Sequence, residues 1–164
     1  MDTAYLHLLL NHLPVLGVPF GLLLLGAAGL ARSSDLKRAA LATFALAALA
    51  AVPAYLTGEP AEEKVEHIAG VSERLIHEHE ERAEISLIAT SVLGMLSLGA
   101  LIGWRNRELP AAPLGALAVL ALLTFGSLAL TAKAGGEFRH TEFSGAAVSA
   151  PAVDGGGARH DDDD

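Results

Sequence analysis

The feature that most constrains this chain is a series of four long apolar segments, the first of which has no charged residue from Tyr5 to Ala31. A helix needs about 20 apolar residues to cross a bilayer, and only helices and closed barrels satisfy every backbone group there. The segment lengths therefore predict an all-α fold, an integral membrane four-helix bundle. The predicted spans cover residues 5–31, 36–57, 83–104 and 113–133.

Shorter polar segments complete the predicted organisation. Residues 1–143 are expected to form the four-span domain, with a short surface helix at 61–69, and residues 144–164 a flexible acidic tail. Gly17 and Gly21 lie one turn apart in the first span, and such a pair of small residues lets a neighbouring helix approach closely. The first helix is therefore predicted to pack tightly through this face.

Composition narrows the classes of function. Hydrophobic residues make up 52% of the chain and charged residues 18%, whereas soluble domains are about a quarter charged. The net charge of -8 argues against a nucleic-acid partner, and the bilayer is the expected surroundings. Cysteine is absent, which excludes thiolate metal sites, iron–sulfur clusters and covalently attached c-type haem. Any metal or haem must be held by nitrogen and oxygen.

A charged segment from Ser72 to Glu84 runs directly into the third span and carries His77 and His79 among several glutamates. A stripe at helical spacing continues from it into the membrane: His79, Ala83, Ser86, Thr90, Gly94 and Ser97. Small and polar stripes of this kind face other helices in lipid. His79 is therefore predicted to point inward, and His77 to point to water or to a partner.

The loop charges predict an orientation. The short loops 32–38 and 105–110 are rich in Lys and Arg, whereas the segment 58–82 is rich in Glu. By the positive-inside rule the short loops lie in the cytoplasm and both termini lie outside, with the chain in the bacterial inner (cytoplasmic) membrane. Four spans then bring every histidine to the extracytoplasmic end, as a polar face rich in His and Glu.

Two kinds of site suit these histidines. Two histidines on facing helices are the arrangement that holds a b-type haem in a helical bundle. His12 and His79 are the leading pair because both lie near the membrane surface on spanning helices, and His7 or His140 is an alternative to either.

The second possibility is a divalent metal ion bound by His77 with Glu80, Glu81 or Glu84, which lie about one helical turn away. A third possibility is that nothing is bound. In that case the histidines and glutamates form a solvated helix face and interfacial side chains.

Several segments together resemble a known group of proteins. They read L-H-L-L-L-N-H-L-P-V-L-G at the start of the first span, P-A-Y-L-T-G-E-P-A at the end of the second, H-E-E-R-A-E at the start of the third and G-G-E-F-R-H-T-E after the fourth. The chain is similar to a family of uncharacterised bacterial four-helix membrane proteins whose first helix begins His-x-x-x-x-His-x-Pro. The resemblance implies the four-span fold and a role for the histidines as a set.

Two function classes follow. The first is a small membrane redox subunit that binds haem or a metal ion and transfers electrons. The second is a non-catalytic structural subunit that packs against a larger membrane complex through its Ala, Leu and Gly helices. A transporter ranks third because no charged residue lies in the middle of a span. No nucleophile–base pair, phosphate loop or His-Glu-x-x-His motif occurs, so an enzyme is not expected.

Overall fold

The computed structural model of the protein describes residues 3–61 and 73–148. These residues form four long helices, which confirms the predicted all-α four-helix membrane bundle. The helices are α1 (Thr3–Ala31), α2 (Ser34–Leu56), α3 (Glu73–Gly103) and α4 (Ala111–Val148). Each contains a segment long and apolar enough to cross a membrane: Tyr5–Ala31, Ser34–Leu56, Ile76–Gly103 and Ala111–Gly136. The chain is a multi-pass membrane protein.

The helix ends differ in places from the sequence prediction. α4 continues through Gly135 and Gly136 to Val148, and therefore includes the first residues of the predicted tail. No proline occurs between Gly136 and Val148, and the next one in the sequence is Pro151. The remainder of the tail, residues 149–164, and most of the predicted surface helix at 61–69 lie outside the described residues.

The four helices form a ring in which α1 packs against α2, α2 against α3, α3 against α4 and α4 against α1. α1 and α3 are therefore diagonal to each other across the bundle, as are α2 and α4. Large apolar side chains such as Leu23 and Leu49, each 71% exposed, cover the outer faces. In a membrane these faces contact lipid, so their exposure requires no further partner.

The interior is closed by small residues around one large one. Phe44 of α2 is fully buried, and a Cβ added at Gly21 of α1 would lie within 2.7 Å of its ring. A Cβ added at Gly17 would lie 3.1 Å from Ala47. The predicted close approach at Gly17 and Gly21 is confirmed, and α2 is the helix that approaches. On the other side of α2, Gly94 of α3 contacts the Ala48 side chain and the Phe44 carbonyl.

The two short loops lie together at one end of the bundle. The Arg38 guanidinium donates hydrogen bonds to the carbonyl oxygens of Trp104 and Arg107, both at 3.0 Å. The Ser34 hydroxyl donates to the Glu108 carboxylate at 2.6 Å. These bonds join the start of α2 to the end of α3, so the starts of α1 and α3 lie at the opposite end.

Candidate functional site: a histidine-lined cavity

A cavity of about 460 Å³ lies where α1 and α3 begin, and all four helices line it. Pockets that hold small molecules and cofactors typically measure about 300–1,000 Å³. Three of the predicted site residues line this cavity, namely His7, His12 and His79. Most of the other lining side chains are small or apolar, and a few carry hydroxyl groups. The cavity is thus a largely apolar space with three imidazoles near one end.

His7 is held by the end of α2. Its Nδ1 lies 2.8 Å from the carbonyl oxygen of Ala54, which belongs to the last turn of the helix, where carbonyl groups lack helical partners. A carbonyl oxygen can only accept, so Nδ1 carries the proton and Nε2 of the neutral ring keeps its lone pair. The ring packs on Gly58, where an added Cβ would lie 3.5 Å from His7 Cε1.

His79 is held in the same way by α4. Its Nδ1 donates to the carbonyl oxygen of Thr131 at 3.2 Å, so Nε2 again keeps its lone pair in the neutral ring. The ring packs on Gly135, where an added Cβ would lie 3.1 Å from His79 Cε1. The two imidazoles are also close enough to interact electrostatically. The predicted inward direction of His79 is confirmed.

The two histidines thus occupy equivalent positions in two equivalent hairpins. In each hairpin the acceptor carbonyl lies four residues before the glycine that contacts the ring: Ala54 before Gly58, and Thr131 before Gly135. The spacing of buried residues along the helices also matches. The four buried residues of α1, Pro14, Val18, Gly21 and Ala28, match buried Ser86, Thr90, Leu93 and Ala100 in α3, where Gly94 and Ser97 are buried as well. Four of the buried residues of α2, Ala40, Phe44, Ala47 and Ala51, match buried Leu117, Ala121, Thr124 and Leu128 in α4.

His12 has a different environment. It is exposed, and its Nδ1 contacts the carbonyl oxygen of Leu8 one turn earlier in the same helix. It lines the same cavity as His79, but among the described residues no hydrogen bond joins its ring to another helix. The side chain of His140, the remaining haem-ligand candidate, lies outside the described residues.

Hydroxyl groups below His79 fix its acceptor. Ser86 Oγ lies 2.9 Å from Thr131 Oγ1 and 2.7 Å from Ser127 Oγ. The Thr131 hydroxyl is also 3.0 Å from the Arg82 carbonyl oxygen, and the Thr90 hydroxyl donates to the Ser86 carbonyl at 2.7 Å. The predicted inward stripe is confirmed, since Ser86, Thr90 and Ser97 are buried. These bonds hold α3 and α4 in register beneath the histidine.

The predicted metal ligands lie on the outer face of α3. The His77 side chain is 73% exposed, as expected for a residue that points away from the bundle. Its Nδ1 is 3.6 Å from Glu80 and its Nε2 is 3.4 Å from Glu81. Among the residues that the structure describes, no three His, Asp or Glu side chains are grouped closely enough to hold a metal ion. A site formed by His77, Glu81 and Glu84 stays a prediction.

The groups that position the imidazoles were not predictable from the sequence. These are the Ala54 and Thr131 carbonyls and the rings' contact residues, Gly58 and Gly135. The sequence contains one weak signal for them. The second span ends A-Y-L-T-G-E and the fourth ends T-A-K-A-G-G-E, so a glycine and a glutamate follow the acceptor at similar distances.

The chain was also compared with known proteins. No protein-family model, no curated protein and no solved structure matches it. The geometry of the cavity is therefore the basis for assigning a function.

Proposed function

We propose that this protein is a small membrane redox subunit that binds a b-type haem between His7 and His79 and transfers electrons. The observation that carries the proposal is the pair of Nδ1–H hydrogen bonds to the Ala54 and Thr131 carbonyls. Histidines that ligate a metal usually donate their other ring nitrogen in this way, which fixes the ring and makes the ligating nitrogen more basic. Both rings line one cavity on diagonal helices.

The number of ligands favours haem over a free metal ion. Protein sites for ions such as zinc use three or four side chains, and the described residues contain no group of three. A porphyrin would bring four nitrogens of its own, so the protein would have to supply only two ligands. His7 and His79 meet that requirement, and a divalent metal ion is the second choice.

The walls of the cavity suit a flat ring. Alanines line it on three helices, Ala51 and Ala54 on α2, Ala83 on α3 and Ala132 on α4. Haem supplies one-electron chemistry when bound, and the protein tunes it through axial ligands and burial. The chain's own contribution is to orient the two imidazoles and to surround the ring with apolar side chains. His7 and His79 would hold the haem through their Nε2 atoms.

We place the histidine end outside the cytoplasm, in the bacterial inner membrane. Support comes from the cations of the opposite end, where Arg38 near the start of α2 lies beside Arg107 in the loop after α3. A cysteine introduced at Ser33 is expected to be protected from an impermeant thiol reagent in intact cells. Labelling of that cysteine would invert the orientation.

A structural subunit is the second candidate. Gly99 and Gly103 lie one turn apart on α3, and a Cβ added at either would meet nothing within 4 Å. Outward pairs of small residues are typical helix–helix contact sites in membranes. They support docking on another membrane protein, with or without a haem. The resemblance to the four-helix family is compatible with both candidates.

The deciding experiment is titration of the detergent-purified protein with haemin, with absorption spectra recorded before and after reduction with dithionite. We expect saturation at one haem per chain, with a sharp Soret band and the narrow visible bands of a six-coordinate reduced haem. Unsaturable binding, or a spectrum equal to that of haemin in detergent alone, would overturn the haem proposal and favour the structural subunit.

A further inference from the structure

We propose that the cavity is filled sideways from the bilayer, through a seam between α1 and α4, and that its ligand is therefore a flat, largely apolar molecule dissolved in lipid. The seam consists of Leu8 and His12 on α1 and Ala132 and Gly136 on α4. The identity of the ligand as haem rests on the proposed function, whereas the route rests on the exposure of the lining residues and on the packing of the helices.

The exposure of the lining residues locates the opening. Leu8 is 38% exposed, and His12, Ala132 and Gly136 are exposed as well although all four line the cavity. Every lining residue of α3 is buried or half-buried, and on α2 Tyr55 alone among the lining residues is exposed. On each helix of the seam the two exposed residues lie one turn apart, so they form two edges that face each other.

Helix packing agrees with this location. Of the four neighbouring helix pairs, α1 and α4 pack against each other least extensively. The α2–α3 interface lies on the opposite side of the ring of helices. It is closely packed because Gly94 brings the backbone of α3 against Ala48 and the Phe44 carbonyl. The bundle is therefore tight on the α2–α3 side and loose on the α1–α4 side.

Two consecutive glycines of α4, Gly135 and Gly136, have different surroundings. Gly135 lies against the His79 ring, whereas a Cβ added at Gly136 would meet no atom of the described part of the chain within 4 Å. Gly136 is exposed and lines the cavity. The edge of α4 therefore lacks a side chain at the place where a ligand would pass.

The chemistry of the opening selects the ligand. The seam lies in the segments Tyr5–Ala31 and Ala111–Gly136, which are apolar enough to cross a membrane, so a hydrated ion would have to leave water before it reached the histidines. A flat apolar ring already dissolved in the bilayer has no such cost. His12 gives the seam a polar group at its rim, where the polar edge of such a ring would lie.

The route is tested without haem by chemical labelling of the cavity wall. The chain has no cysteine, so Ala83→Cys places a single thiol on the α3 wall opposite the seam. The protein in liposomes is treated with an alkyl maleimide dissolved in the lipid or with a charged, water-soluble thiol reagent. The added substitution Gly136→Leu is expected to slow the lipid-borne reaction by about tenfold, equivalent to about 1.4 kcal/mol of barrier.

Gly126→Leu is the matched control, because Gly126 is also on α4, exposed and without a neighbour within 4 Å of an added Cβ. It should leave the labelling rate unchanged. Ala132→Leu is a second seam variant, which covers the case in which Gly136→Leu does not fold. Equal rates in the seam variants and the control, or faster labelling by the charged reagent than by the lipid-borne one, would overturn the lateral route.

Failure of this inference is distinct from failure of the proposed function. A seam-dependent labelling rate in a protein that does not bind haemin would keep the route and reject haem as the ligand. Saturable haemin binding, together with a labelling rate that the seam substitutions do not change, would support haem as the ligand and reject the lateral route.

Discussion

The hairpin α1–α2 and the hairpin α3–α4 hold their histidines in the same way but are filled with different side chains. Below His7, the buried positions of α1 are apolar or glycine, as at Val18 and Gly21. Below His79, the corresponding positions of α3 begin with hydroxyl residues, Ser86 and Thr90. The position of the imidazole therefore depends on where the neighbouring helix offers a carbonyl and a glycine, and not on the polarity of the interior beneath it.

The difference shows two ways to join helices in lipid. Burial of apolar surface gives no advantage there, since lipid is as apolar as the interior, so close packing and hydrogen bonds hold helices together. The first hairpin uses close packing of Gly17 and Gly21 on α2. The second uses hydrogen bonds among the hydroxyls of Ser86, Ser127 and Thr131.

The acceptors of the two hairpins also differ. Ala54 lies in the last turn of α2, where its carbonyl also accepts a hydrogen bond from the Thr57 hydroxyl at 3.0 Å, whereas Thr131 lies inside α4. The hydrogen bond of His7 measures 2.8 Å and that of His79 measures 3.2 Å.

The largest expected effect tests the equivalence of the histidines. His7→Ala and His79→Ala should each weaken haemin binding by more than about 100-fold, because loss of a partner that only supports a ligand already costs about 10–100-fold. His12→Ala should cost much less, since His12 lacks an orienting partner on another helix. The measurement is the haemin titration followed at the Soret band.

A His12→Ala variant as defective as His79→Ala, with His7→Ala unaffected, would contradict the equivalence. It would restore the pair predicted from the sequence, His12 with His79. His77→Ala serves as the control for a general loss of histidine, because His77 lies on the outer face.

A medium effect tests the packing shared by the two hairpins. Gly94→Ala should destabilise the bundle by about 1–3 kcal/mol, the usual cost of overpacking, because the new methyl would collide with Ala48. The measurement is reversible unfolding in mixed detergent and SDS micelles. Adding Ala48→Gly should restore most of the loss, although the Phe44 carbonyl stays 3.3 Å from the new Cβ. A double variant no more stable than Gly94→Ala would show that this contact does not limit the α2–α3 approach.

The smallest effect compares two buried hydroxyls of α3. Ser86→Ala should lose about 0.6–1.7 kcal/mol, the range measured for hydrogen bonds between membrane helices. Ser97 is fully buried, and its hydroxyl has no partner among the described residues. Ser97→Ala should therefore be neutral or slightly stabilising, because it removes an unsatisfied polar group. Both free energies of unfolding are measured by the same assay. Equal losses in the two variants would indicate that the hydrogen bonds of Ser86 add no stability beyond that of a hydroxyl without a partner.

The sequence was sufficient for features that depend on one helix at a time. Segment length and hydropathy predicted the spans, and helical spacing predicted both the buried stripe through Ser86 and Thr90 and the exposure of His77. These features follow from periodicity, which is local. The close contact at Gly21 was also predictable, though its partner, Phe44, was not.

The features that depend on how one helix lies along another were not predictable. The choice of Ala54 and Thr131 as acceptors depends on the relative height of two helices, which hydropathy leaves free. The equivalence of the two hairpins was also not visible in the sequence. Corresponding positions have the same spacing but seldom the same residue type: Val18 corresponds to Thr90, and Phe44 to Ala121.

The hydrogen bonds of Arg38 at the loop end have a mechanical consequence. They join α2 to α3 at a point that lies 16 residues before Ala54, or about 24 Å along a helix. Over a lever of that length, a tilt of about 2–3° moves the far end by about 1 Å. The distance between the two imidazoles is therefore sensitive to the tilt of whole helices, because the loop-end hydrogen bonds hold the helices together far from the histidines.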